Sequence, residues 1–181
     1  MDAQPDPRPL VGEPRPLDLL NTEWIAEGRR HDLLEDLAGV RVWLATNDIS
    51  APATVPVRDN LVEARGAVRA TLSEPSDADA RRQVDRVLSH ARLRFSLGAG
   101  HDPVREVEVD DQAWLPAAIA ALDLLDLLRD RPDRIRPCAH PDCILWFLDT
   151  SRNGTRRWCS MAACGNRAKA QRHYSRVRDA G

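Results

Sequence analysis

The run Arg156-Arg157-Trp158-Cys159-Ser160-Met161-Ala162-Ala163-Cys164-Gly165-Asn166-Arg167 decides how the last quarter of this chain folds. It holds two of the chain's four cysteines; the other two, Cys138 and Cys143, lie just upstream. The spacing is C-x4-C-x15-C-x4-C, two paired knuckles joined by a loop. That arrangement suits a closed tetrahedral zinc site built from Cys138, Cys143, Cys159 and Cys164. Four thiolates leave zinc no open position, so the expected single Zn2+ is structural rather than catalytic. His140 lies between the first two cysteines and is the alternative ligand. Free thiols or a redox disulfide are the competing readings.

Between the knuckles, Ile144 to Asp149 reads as a strand. Thr150-Ser151-Arg152-Asn153-Gly154 reads as a turn, because Asn-Gly favours hairpins. Thr155 to Cys159 reads as the return strand. Ser160 is placed to cap a helix from Met161 to Arg178, giving a treble-clef-like finger. At about 100° per residue, Ala163, Ala170, Tyr174 and Val177 share one stripe of that helix. Lys169, Arg172, His173 and Arg176 share another. A packing face beside a basic face suits docking on nucleic acid. The expected contacts to a polyanion are Arg152, Arg156, Arg157, Asn166, Arg167, Lys169, Arg172 and Arg176. Arg156 and Arg157 alternate along the strand, so at most one joins that surface and the other braces the thiolates. Asn166 either reads a base or caps local backbone.

Charge agrees with this division. The chain has 181 residues and a formal net charge of −2. Residues 129–181 hold eleven Arg and one Lys against five acids, a net of +7, while the first 128 residues carry −9. Such asymmetry points to an anionic partner for the tail; a solvated face is the plainer reading.

The region before the finger reads as one mainly helical domain. Residues 1–16 contain five prolines and read as a flexible or extended lead-in. Helical periodicity then marks 17–27, 32–46, 57–72 and a segment opening at Ser76-Asp77. Leu93, Phe95 and Leu97, then Val107 and Val109, alternate with polar residues around a turn-rich break, the pattern of a β-hairpin. Residues 112–129 form the most apolar helix. The expected fold is α+β, mainly α: a lead-in (1–16), a helical domain with one hairpin (17–130) and a finger (134–178).

The cysteine run, with Phe147-x-Asp149-x-Ser151-Arg152-Asn153 and Cys164-Gly165-Asn166-Arg167-x-Lys169, resembles the CGNR zinc finger. Leu19-Leu20-Asn21-Thr22 and Asp32-Leu33-Leu34 resemble the ABATE domain that precedes it. The resemblance implies a bacterial stress-induced transcription regulator that binds DNA through the finger. It also implies an N-terminal domain that senses a ligand or mediates dimerisation. Expected partners are therefore DNA, a second copy of the chain, and a small molecule at the first domain. RNA binding or a protein–protein adaptor role on the same basic face are the alternatives.

No glycine-rich phosphate loop, HExxH or Gly-x-Ser-x-Gly occurs, so no enzyme is expected. The N-terminus lacks a signal peptide and no apolar stretch is long enough to cross a membrane. The expectation is a cytoplasmic, nucleoid-associated protein with reduced thiols.

Overall fold

A computed structural model of the chain describes residues 5–166. The class is α+β, mainly α, as the periodicities indicate. Five helices carry the first unit: α1 (Arg15–Leu20), α2 (Leu37–Thr46), α3 (Val55–Ser73), α4 (Ala78–Ser89) and α5 (Leu115–Asp130). Three antiparallel pairs of strands complete the described residues: β1 (Glu23–Ala26) with β2 (Arg29–Asp32), β3 (Ala91–Leu97) with β4 (Pro103–Val109), and β5 (Ile135–Pro137) with β6 (Trp146–Leu148).

Local chemistry sets the helix starts. Asp36, Thr54 and Asp77 accept hydrogen bonds from the first-turn N–H groups of α2, α3 and α4, supplying partners for donors the helix cannot satisfy. Pro56 and Pro116 sit in the first turns of α3 and α5, where a missing N–H costs nothing. Leu17, Leu20, Trp43, Leu61, Val68 and Leu124 are fully or almost fully buried, and α1 packs against both α3 and α5 at the centre.

Two helix expectations change here, and over residues 5–14 the lead-in takes the extended of its two readings. The Arg8 side chain is buried and forks between Asp6 and Asp18, its Nη1 donating to Asp18 Oδ1 at 2.7 Å. The helix expected over 17–27 stops at Leu20, because Thr22 Oγ1 donates back to Leu19 O and the chain enters β1. Glu27 and Gly28 both take positive φ, which makes the tight β1–β2 turn. Within the expected 32–46 helix, Asp32 ends β2, a 3-10 turn spans Leu33–Glu35, and α2 begins only after Asp36.

Candidate metal centre and nucleic-acid interface

Backbone hydrogen bonds bring the four cysteines together. Cys138 N–H donates to Leu145 O at 2.8 Å and Cys143 N–H to His140 O at 3.0 Å, folding the first knuckle over the β5–β6 ladder. Ala139 N–H donates to Arg157 O at 2.8 Å and ties the second segment to the first. A π-helical turn, Met161–Gly165, then carries Cys164 back over Cys159. A Cβ on Gly165 would meet the Met161 sulfur at 2.7 Å, a contact that the exposed methionine side chain can relieve by moving.

This geometry fits zinc. A tetrahedron with Zn–S bonds of about 2.3 Å has sulfur–sulfur edges of about 3.8 Å. Cys143 Sγ lies 3.8 Å from Cys159 Sγ, which lies 3.6 Å from Cys164 Sγ, and all four sulfurs fall within 4.8 Å of one another. A disulfide would need about 2.05 Å, and none of the four cysteines forms one. Cys159 N–H reaches Cys138 Sγ at 3.4 Å, a donor that steadies a thiolate. His140 stands outside the cluster; its Nδ1 accepts from Asp142 N–H.

The thiols also perturb one another. A hydrogen bond from Cys159 lowers Cys143 to about 5, and the same pairing drives Cys159 strongly upward. Burial and the neighbouring thiolates push Cys164 up to about 11. Cys143 deprotonates readily while Cys159 and Cys164 resist, which is what a crowded anionic shell does until a cation compensates it.

The loop after β6 is locked by Asp149. Its carboxylate accepts from Ser151 Oγ at 2.6 Å, from Ser151 N–H at 2.9 Å and from Arg156 N–H at 3.0 Å. These bonds, the Ser151 hydroxyl foremost, hold it below the usual carboxylate range. Arg134 donates to Ser151 O and Arg136 to Gly154 O. Arg152, Asn153, Thr155 and Arg157 are left exposed on this loop. Arg157 lies over the Trp158 ring at 5.3 Å. Arg156 takes the bracing role. It stacks on Phe147 at 4.3 Å, and its guanidinium donates to Trp158 O and Cys159 O at the second knuckle.

The return strand expected over 155–159 does not form. β6 pairs with β5 instead, and its other edge is taken by Asn21 at Trp146 and Glu13 at Leu148. Asn166 is exposed and its Nδ2 donates to Ala162 O at 3.4 Å. Arg167, Lys169, Arg172 and Arg176, with most of the expected 161–178 helix, lie outside the described residues.

Two residues that the sequence did not single out as functional join the finger to the first unit. Asn21, fully buried, receives Trp146 N–H on Oδ1 and donates Nδ2–H to Trp146 O, both at 2.9 Å. Its amide thus pairs with β6 as another strand would. Glu13 accepts Leu148 N–H at 2.8 Å and lies 4.0 Å from Arg156 Nη1. Burial pushes its carboxyl above the usual value, and the Leu148 N–H and Arg156 offset only part of that. The signal for Asn21 was a polar amide directly after the apolar run Leu19-Leu20.

An open cleft of about 600 Å³ lies between the lead-in, the end of α2 and α5. Asp18, Asp48, Asp123, Asp126 and Asp130 line it, with Arg15 bridging to Asp123 at 2.9 Å.

Comparison with known families follows this division of the chain. Residues 13–131 match the ABATE family, described as "Putative stress-induced transcription regulator". The chain belongs to this family. Residues 134–177 match the CGNR zinc finger, so the cysteine cluster lies inside a zinc-finger module. No curated protein matches the chain. Among the described residues no helix is long and apolar enough to cross a membrane.

Proposed function

We propose that this ABATE–CGNR chain is a zinc-dependent DNA-binding transcriptional regulator of the cytoplasm and nucleoid. The observation that carries the reading is the Asp149-locked loop. It holds Arg152 and Arg157 in the open on the same module that the four cysteines close. A rigid loop loses little entropy on binding, and guanidinium forks suit phosphate oxygens. Arg167, Lys169, Arg172 and Arg176 add charge directly along the chain. The four-thiolate shell leaves the metal no chemistry beyond folding, so the role proposed is binding, without catalysis. The cleft beside α5 has the volume of a small-molecule site and is where the first unit would take an effector.

Duplex DNA is favoured over single-stranded RNA because Arg157 covers the Trp158 face that an unpaired base would need. The test is genomic duplex selection with the zinc-loaded chain at two salt concentrations. About four phosphate contacts give a slope of log K against log salt near −3.6. Replacing Arg152 and Arg157 together by Ala should flatten it by about 1.8. Absence of duplex binding at low salt, or preference for single-stranded RNA in direct competition, would overturn the reading.

A further inference from the structure

Among the described residues the β3 half of the apolar side of the β3–β4 hairpin is largely uncovered. Alternation places Leu93, Phe95 and Leu97 on one face of β3. The register sets Val107, Arg105 and Pro103 opposite them on that same face. Phe95 is 71% exposed, Leu97 70% and Leu93 37%. The other face is polar, with Arg94 bridging to Glu106 and Glu108. Among the described residues one face is polar and the β3 half of the other is left largely uncovered, while Val107 is half-buried and Arg105 turns to α5. A two-stranded hairpin gains little stability until such a face is covered.

Charge narrows what covers it. Residues 91–109 hold three Arg and three acids, a net of zero. The one charged side chain on the apolar face, Arg105, is tied to Asp126 of α5 at 2.7 Å. A polyanion gains nothing from this face, and neither does a strongly acidic or basic protein. Another neutral apolar face does, and a second copy brings one of the same size and shape. Leu93, Phe95, Leu97 and the exposed Leu125 of α5 offer roughly 350 Å² of apolar surface per copy. Two copies with a polar rim reach about 1,200 Å² in total, the lower end of specific interfaces.

We infer that this hairpin face is a two-fold self-association surface. The β3 faces of two copies pack against each other about 10 Å apart with Phe95 as the central anchor, and Arg105, its cross-strand neighbour, is neutralised by Asp126 of its own α5. The inference rests on this face and not on what the finger binds.

Sedimentation velocity on the zinc-loaded full chain, from about 1 to 200 µM, reads it directly. An interface of this size predicts a reversible dimer with a dissociation constant on the order of 10 µM. Phe95→Asp and, separately, Leu97→Asp should each weaken it at least about 30-fold, whereas Phe95→Leu should keep it within about fivefold. Zinc content and helical signal should not move, because both side chains are exposed; a variant that fails this control is replaced by the other. A chain that stays monomeric across the range overturns the inference. So does a dimer that both Asp variants leave intact, since its interface then lies elsewhere.

Discussion

Asn21→Ala tests whether the finger and the first unit fold as one. The Asn21 amide supplies both partners of the Trp146 peptide at 2.9 Å, and the side chain is fully buried. Alanine leaves an N–H and a C=O without partners in a seam where Trp146 is only half-buried. Water restores part of that pairing, so each group should cost about 1–2 kcal/mol, and the pair about 2–4 kcal/mol. For a chain of this size that lowers the thermal midpoint by roughly 5–15 °C. Circular dichroism would follow the unfolding, and a chromogenic chelator would follow zinc release in the same temperature ramp. Asn21→Asp sharpens the test. It keeps an acceptor for Trp146 N–H but sets a carboxylate against Trp146 O, which raises its folded pKa above the unfolded value. The stability of a raised-pKa acid is present below the unfolded pKa and lost as pH rises through the folded one. The Asp variant should therefore be weaker than the Ala variant at pH 7 and approach it at pH 5. A midpoint for Asn21→Ala within about 2 °C of the parent chain would refute the reasoning.

Further outcomes follow from the first unit and the thiols. Gly39→Ala should cost more than about 3 kcal/mol by urea titration, despite a helix-propensity gain of about 1 kcal/mol, because its Cβ would lie 1.6 Å from Leu33 O; an unchanged midpoint would remove that contact from the account. Arg65→Leu strands the Asp32 carboxylate, which Arg65 holds at 2.6 and 2.7 Å, while Glu23 keeps its pairs with Arg30 and Arg69. The loss should be about 2–4 kcal/mol, tempered by the part-exposure of Asp32, and Arg65→Lys should recover only part of it because a point charge cannot fork. On acidification, zinc should leave before the helices melt. Even the most acidic thiol, Cys143, is brought by its bond with Cys159 only to about 5, whereas Asp6 and Asp32, pushed up by burial but brought lower by Arg8 and Arg65, lie below the ordinary aspartate value. The stability those depressed carboxylates confer is present above the unfolded pKa and lost only as pH falls through the folded one, so a single concerted step in chelator and helical signals would contradict the order.

The metal site and most helices were legible because their signals are local. Cysteine spacing states the ligand set, and period 3.6 over Val57 to Leu72 or Gln112 to Arg129 needs no partner to be read. The β3–β4 hairpin was equally plain from alternation. What failed depended on contacts distant in sequence. Nothing between Leu17 and Glu27 announces that Asn21 faces Trp146, 125 residues away. The Asn153-Gly154 cue was real as a turn, with Gly154 at φ +62°. It misled about the strands because Asn21 and Glu13, more than 120 residues upstream, take the edge of β6 at Trp146 and Leu148. Gly39 looked like a flaw in a helical pattern, and proves to be the close approach that lets Leu33 O pass α2.

Long-range contacts also change how the finger's charge should be counted. The +7 of residues 129–181 treats every arginine as available. Among the described ones, Arg134, Arg136 and Arg156 spend their donors on backbone carbonyls and Asp149, and Arg129 pairs with Asp126 and Asp130. An arginine held this way positions the module but releases no counterion when a phosphate approaches, so it adds nothing to the salt slope. Arg152 and Arg157 are the exposed pair on the Asp149-locked loop. Two sets of variants should therefore separate by mechanism. Arg152→Ala or Arg157→Ala should flatten the slope by about 0.9 each while leaving the zinc and the thermal midpoint in place. Arg156→Ala should weaken binding with an unchanged slope, and should speed zinc loss, because it removes the brace on Trp158 O and Cys159 O. If Arg156→Ala instead flattened the slope and left zinc release untouched, Arg156 would be a phosphate contact and the assignment of roles within the Arg156-Arg157 pair would reverse.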